Sequence, residues 1–184
     1  MKIMIASDIH GSAHFCELML KRFEEEKAES LLLLGDILYH GPRNDLPKEY
    51  NPKAVIEMLN AIKEKIFCVR GNCDTEVDQM VLQFPIMAEY AIIYSENGLI
   101  YSTHGHKYGE TTPPPAEKGF VLLNGHTHVP KCVEYENYTY LNPGSVSIPK
   151  ENSKNSYIVF DGAEFVWKDV ENGEEYMRYK FKKE

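Results

Sequence analysis

Seven short polar clusters, each next to an apolar run, constrain this chain more than any other feature. They are Asp8-Ile9-His10, Gly35-Asp36, His40-Gly41-Pro42-Arg43-Asn44, Gly71-Asn72-Cys73-Asp74, His104-Gly105-His106, Gly125-His126-Thr127-His128 and Asn142-Pro143-Gly144-Ser145. A short apolar run bounded by such residues reads as a buried strand. Strand ends on one side of a sheet converge. Carboxylate, amide and imidazole groups far apart in sequence can therefore meet in one crevice.

The first half alternates strand and helix. Lys2 to Ser7 is β-rich, and Ser12 is a candidate N-cap for a helix to about Lys27 with Phe15, Leu18, Met19 and Phe23 on one face. Leu31 to Leu34 is unbroken apolar, as expected of a strand buried on both faces. Pro52 opens a second helix whose buried face is Val55, Ile56, Leu59 and Ile62, and Ile66 to Val69 is a third strand. This βαβαβ order implies a parallel sheet. The second half is strand-rich: Ile86 to Tyr94 and Leu99 to Thr103 around an Asn97-Gly98 hairpin, then Phe120 to Leu123, Cys132 to Tyr135 and Thr139 to Leu141. A tail follows with strands at Tyr157 to Phe160, Phe165 to Val170 and Tyr176 to Phe181. The expectation is a single α/β domain over residues 1–184, a four-layer α/β/β/α sandwich of two mixed β-sheets with helices outside.

Composition narrows the function. Hydrophobic residues make up 43% of the 184, enough for a substantial core. No apolar stretch nears the roughly 20 residues that cross a bilayer, and the opening run is too short for a secretory signal. A cytoplasmic protein with no membrane partner is expected. The net charge of −8 repels polyanions and argues against general nucleic-acid binding, while leaving room for a small phosphate ester in a locally cationic pocket. The four cysteines form no Cys-x-x-Cys pair, which excludes a zinc ribbon or thioredoxin motif and fits reduced thiols.

Taken singly, each cluster also has a plainer reading. Asp8 and His10 are a carboxylate and an imidazole at i and i+2, able to reach one cation, or a turn aspartate beside an unrelated histidine. Asp36 can bridge two cations or cap a loop. Asn72 can offer a neutral amide oxygen or form an Asx-turn. Asp74 can orient a ligand or cap the segment after it. A histidine at His104 or His106 alone is more often structural, but with Gly105 between them at least one can point into the crevice, and His126 and His128 after Gly125 have the His-x-His form of a metal signature. The order of all five argues for a shared site more strongly than any one does. Hard oxygen with imidazole suits Mn, Fe, Zn or Co better than Ca or Mg.

These residues resemble the calcineurin-like metallophosphoesterase superfamily, whose pattern is D-x-H, G-D, G-N-[HC]-[DE], H and G-H-x-H in that order. The tracts from Gly35 to Asn44 and from Leu141 to Lys150 look like its YfcE-like phosphodiesterase branch. The resemblance implies two divalent metal ions, usually Mn2+, with Zn2+, Fe2+, Ni2+ or Co2+ as alternatives. Asp8, His10, Asp36 and His128 would hold one ion. Asp36, Asn72, His104 and His126 would hold the other. A metal-bound hydroxide would attack the phosphorus of a small phosphate ester, with Asn72, Cys73, Asp74 and His104 as the catalytic set.

Many members carry histidine where this chain has Cys73. A thiol with an ordinary pKa of about 8.5 is a poorer proton donor and is uncharged at neutral pH, which points to diesters or good leaving groups. Substrate contacts are expected from Arg43, His40, Cys73 and His106, with the Asn142 to Ser145 turn as support. The alternatives are a phosphomonoesterase or nucleotidase on the same site, or a non-catalytic scaffold such as the retromer subunit Vps29. The β-rich tail also allows a homo-oligomer.

Overall fold

The parallel core of the first sheet begins with β1 (Ile3–Ala6), whose four residues are all buried. The structure, a computed structural model, describes residues 2–182. Helix α1 (Ala13–Glu26) follows, with the Ser12 side chain accepting a hydrogen bond from the Phe15 N–H and Lys27 closing it in a left-handed conformation. Strand β2 (Ser30–Leu33) pairs parallel with β1. Helix α2 (Pro52–Ala61) starts with Pro52 in its first turn, where a missing N–H costs nothing, and Asn51 caps it. Strand β3 (Ile66–Cys68) pairs parallel with β2.

After helix α3 (Glu76–Val81) come β4 (Ala91–Ser95), β5 (Gly98–Ser102), β6 (Phe120–Leu123), β7 (Pro130–Glu134) and β8 (Tyr138–Pro143). The expected strand from Ile86 is shorter and begins at Ala91, because Ala88 bonds the Arg70 N–H beside β3 instead. These five strands form the second sheet in the order β4-β5-β6-β8-β7. The tail strands β9 (Ser156–Phe160), β10 (Glu164–Asp169) and β11 (Glu175–Lys180) return to the first sheet, whose order is β11-β10-β9-β1-β2-β3. Both sheets are mixed, as expected: β1 has a parallel neighbour on one side and antiparallel β9 on the other.

Period-two alternation divides the core. In β1, Met4 and Ala6 face the helices with Phe15, Met19, Val55 and Leu59. Ile3 and Ile5 face the second sheet and pack with Val121, Leu123, Leu141, Ile158 and Trp167. The outer face of the second sheet departs from the expectation of a helical cover. Among the described residues no helix follows Val81. Tyr101, Phe120, Leu122 and Tyr140 form a separate aromatic cluster there, with Tyr90 stacked on Tyr101 and Tyr108 edge-on to it. Broad tyrosine faces cover this side of the sheet, and the buried Tyr140 hydroxyl accepts from the Asn142 side-chain amide at 3.1 Å.

Trp167 ties the two sheets together. It is fully buried, and its indole N–H donates to the Asn142 carbonyl at 2.7 Å. Trp167→Ala opens a cavity and strands that carbonyl. The expected loss is about 4 kcal/mol of unfolding free energy, read by urea denaturation followed by circular dichroism.

Candidate metal centre

Parallel strands in both sheets deliver their C-terminal ends to the same edge. Asp8 follows β1, Asp36 follows β2, Asn72 follows β3, His104 follows β5 and His126 follows β6. Main-chain bonds lock the ends together: Asp8 N–H to Gly35 O at 3.1 Å, His10 N–H to Asp36 O at 2.9 Å, and Gly125 N–H to His104 O at 2.9 Å. Two glycines make the approach possible. A Cβ at Gly71 would lie 2.1 Å from an Asp36 carboxylate oxygen, and one at Gly125 would lie 1.9 Å from Ser7 Oγ.

The backbone is strained where the side chains converge. Nine non-glycine residues among those described have positive φ, and five are Asp8, His10, Asp36, His126 and His128. Left-handed geometry costs of order 1–3 kcal/mol per residue and persists only where the surroundings impose it. Here they do. The Asp8 carboxylate accepts from the His126 N–H at 3.0 Å, and the Asp8 carbonyl accepts from Ser145 Oγ at 2.8 Å and Ser147 Oγ at 3.1 Å. The turn at Asn142 to Ser145 thus braces the Asp8 loop.

Three imidazoles are oriented by main-chain carbonyls. Nδ1 of His10 bonds Tyr39 O at 2.7 Å, Nδ1 of His104 bonds Leu34 O at 2.7 Å, and Nδ1 of His128 bonds Ile148 O at 2.8 Å. In the neutral ring this leaves each Nε2 as a lone pair aimed into the crevice. Those lone pairs meet other acceptors. His10 Nε2 and His128 Nε2 are 3.2 Å apart, and Asp8 Oδ1 lies 3.2 Å from His128 Nε2. His104 Nε2 lies 3.0 Å from Asn72 Oδ1, 3.5 Å from Asp36 Oδ2 and 3.2 Å from His126 Nδ1. Asp8 Oδ1 is buried without any N–H or O–H donor. Acceptors facing acceptors repel unless a cation or a proton sits between them. The donor set of carboxylate, amide and imidazole fits a divalent cation. The tightest groupings, with ligand atoms within 4.8 Å of one another, are Asp8, His10 and His128, then Asp8, Asp36 and His104, then His10, Asp36 and Cys73.

Electrostatics carry the same signature. Burial drives Asp8 toward its neutral acid, but the neighbouring imidazoles of His10, His128 and His104 hold its carboxyl well below the usual range. Asp36 is likewise lowered: burial opposes its charge, while His104 and the Cys73 N–H, which donates to it at 2.8 Å, favour it. Burial disfavours charge on His104, yet its bond to Asp36 and the fields of Asp8 and Asp36 prevail and lift its pKa to about 9. Cys73 moves the other way. Burial and the Asp36 charge push its thiol up to about 12.

A cavity of 470 Å³ opens over this cluster. Buried His10, Asp36 and His128 line its floor, Asn72, Cys73 and His126 its wall, and exposed Arg43 and Lys150 its mouth. Asp74, His40 and His106, all expected at the site, lie outside the cavity lining. Asp74 does not line the cavity: it is buried behind it, accepting from the N–H groups of Asp36 (2.8 Å), Ile37 (2.9 Å) and Gly71 (2.7 Å). Both of its oxygens are committed to holding the Asp36 loop, and Thr75, not Asp74, caps α3. His40 does not reach the cavity either, because its ring packs edge-on to Tyr39 and Tyr50. His106 is exposed, outside the cavity lining, with its ring centroid 5.4 Å from that of His104. Asn44, Thr127 and Lys150, which belong to sequence clusters or tracts but carry no expected role there, also line the cavity. An exposed lysine after Pro149 gives no local signal that distinguishes it from other surface lysines.

Asp74→Ala strands three buried N–H donors beside Asp36. The expected cost is about 3 kcal/mol by denaturant titration, together with weaker divalent-metal uptake by calorimetry. Unchanged values for both would show that the Asp36 loop holds itself.

Comparison with known proteins agrees with this geometry. Residues 1–164 match the model of the calcineurin-like phosphoesterase superfamily domain. The phosphodiesterase YfcE of Escherichia coli K12 is 47% identical over 161 residues, covering 88% of each chain. The solved structure of YfcE, a phosphoesterase from E. coli, superposes with a TM-score of 0.95 at 41% identity, over 98% of this chain and 100% of that one. Vps29 from Cryptosporidium parvum shares the fold at 18% identity with a TM-score of 0.63, over 99% of this chain and 98% of that one. The chain belongs to the calcineurin-like phosphoesterase superfamily.

Proposed function

We propose that this protein is a divalent-metal-dependent phosphodiesterase that hydrolyses small phosphate esters, acting as one domain over residues 1–184. The observation that carries the reading is the convergence of Asp8 Oδ1, buried without a donor, with the Nε2 atoms of His10 and His128. Its kinship with YfcE supports the same reading. Asp8, His10, Asp36 and His128 would hold one cation, and Asp36, Asn72, His104 and His126 a second. Mn2+ is the first candidate on the family resemblance, ahead of Zn2+, Fe2+, Ni2+ and Co2+, while hard oxygens mixed with imidazole suit several of these ions. When bound, such ions neutralise the phosphoryl oxygens and acidify a water enough for it to attack phosphorus.

The chain's own residues do the positioning. The carbonyls of Tyr39, Leu34 and Ile148 hold three imidazoles with Nε2 forward. Asp74 holds Asp36 in its left-handed conformation. Cys73, at about 12, stays a neutral thiol at working pH. It brings no positive charge to a second phosphoryl anion and is a poor proton donor to a departing alkoxide. Diesters with acidic leaving groups suit such a wall. A cytoplasmic setting fits the four free cysteines, and no helix among the described residues is long and apolar enough to cross a membrane.

Metal-loaded protein should turn over bis(p-nitrophenyl) phosphate with a higher kcat/KM than p-nitrophenyl phosphate. A large preference for the monoester would sink the diester reading, and no turnover of either with metal bound would favour a scaffold. A second outcome concerns protons. The folded pKa of His104 lies above its unfolded value of about 6.5, so the protonated ring stabilises the metal-free fold below that pH and the benefit is lost as pH rises through about 9. Near pH 7.5 an incoming cation must displace that proton. Adding Mn2+ to chelated protein in weak buffer should therefore release about one proton per chain, measured by a pH indicator.

A further inference from the structure

Two cations at the mouth of the cavity, Arg43 and Lys150, have no carboxylate partner among the described residues. Of the four arginines, Arg22, Arg70 and Arg178 each pair with a glutamate. Arg43 pairs with no carboxylate among the described residues, and neither does Lys150. Arg43 is thus the one arginine without a glutamate partner among the described residues, and it shares its cavity with Lys150.

Both are carried on tight turns. Arg43 sits between Gly41, at φ +80°, and Asn44, whose side-chain amide donates to the His40 carbonyl at 2.8 Å. The Lys150 N–H donates to the His128 carbonyl at 3.1 Å, which ties Lys150 to the floor of the site. Its own carbonyl accepts from Ser153 N–H at 3.0 Å and Ser153 Oγ at 2.6 Å, and Glu151 and Asn152 follow in left-handed conformations. The backbone under each cation is therefore fixed, and only the side chains need settle on a ligand.

Depth separates these cations from the acceptor cluster. His10, Asp36 and His128 are buried, whereas Arg43 and Lys150 are exposed at the rim. The space of 470 Å³ is in the usual range for a ligand larger than one phosphate group. A guanidinium grips phosphate through two parallel bonds, and an ammonium adds a mobile point charge.

Resting on the phosphodiesterase reading, we propose that Arg43 and Lys150 form a second anion subsite, so that the preferred substrates are phosphodiesters bearing a further phosphate on the retained arm. The diester to be cleaved lies at the floor, and the second phosphate is held at the mouth.

The test uses metal-loaded protein and two esters: thymidine 5′-(p-nitrophenyl phosphate), and the same compound carrying a 3′-phosphate. The 3′-phosphorylated ester should show a kcat/KM at least about tenfold higher, the size expected for charge-assisted bonds to one phosphate. Lys150→Met and Arg43→Met should each shrink that ratio, and the double variant should bring it near one. A merely structural defect would lower both esters together and leave the ratio intact. Calorimetry with thymidine 3′,5′-bisphosphate and thymidine 5′-monophosphate gives an independent readout, the bisphosphate binding more tightly to wild type than to the double variant. If both esters are cleaved at equal kcat/KM by wild type, or if the double variant keeps the preference, the subsite is overturned while the phosphodiesterase reading stands. If neither ester is cleaved, the phosphodiesterase reading fails and the two affinities decide the subsite: equal values overturn it.

Discussion

His10, His104 and His128 give their Nδ1 protons to carbonyls of Tyr39, Leu34 and Ile148, and most of the site follows from those three bonds. Each bond fixes the tautomer of a neutral ring and turns its Nε2 lone pair inward. With neutral rings, the inward lone pairs leave Asp8 Oδ1, Asp36 Oδ2 and Asn72 Oδ1 facing other acceptors. A packed protein tolerates such an arrangement when the missing positive charge comes from outside the chain. The lifted pKa of His104 is the same imbalance answered by a proton.

The fold exists around that imbalance in a specific sense. Left-handed backbone at five crevice residues is unfavourable locally, so neighbouring loops must impose it. Asp74 does this for Asp36, and Ser145 and Ser147 do it for Asp8. Trp167 donates to Asn142, whose side-chain amide in turn donates to the Gly125 carbonyl at 2.7 Å. A bond across the two sheets is thereby linked to the loop that carries His126. Core packing and site geometry are parts of one hydrogen-bonded structure.

Much of this was readable before any coordinates. The helix limits at Ser12 and Pro52 follow from capping chemistry, and the buried strands from unbroken apolar runs. Five acidic, amide and imidazole clusters at strand ends pointed to one crevice because parallel strands share a direction. Asp74 was harder to place: a carboxylate beside a turn looks the same in sequence whether it faces a crevice or three main-chain N–H groups. His40 and His106 were harder for the same reason, since a histidine's neighbours, here Tyr39 and Tyr50 in one case and His104 in the other, come from packing.

The sequence by itself determined the strand and helix pattern, the family and the kinds of donor atom available, because these depend on local spacing and side-chain chemistry. Tertiary structure alone decided that the tail strands complete the first sheet, that an aromatic cluster replaces a helix on the second, and which nitrogen of each histidine faces inward. It also brought Lys150 to the mouth of the cavity beside the histidines. Those outcomes depend on main-chain carbonyls and on contacts between segments apart in sequence, β1 with β9 among them, and no residue type encodes either.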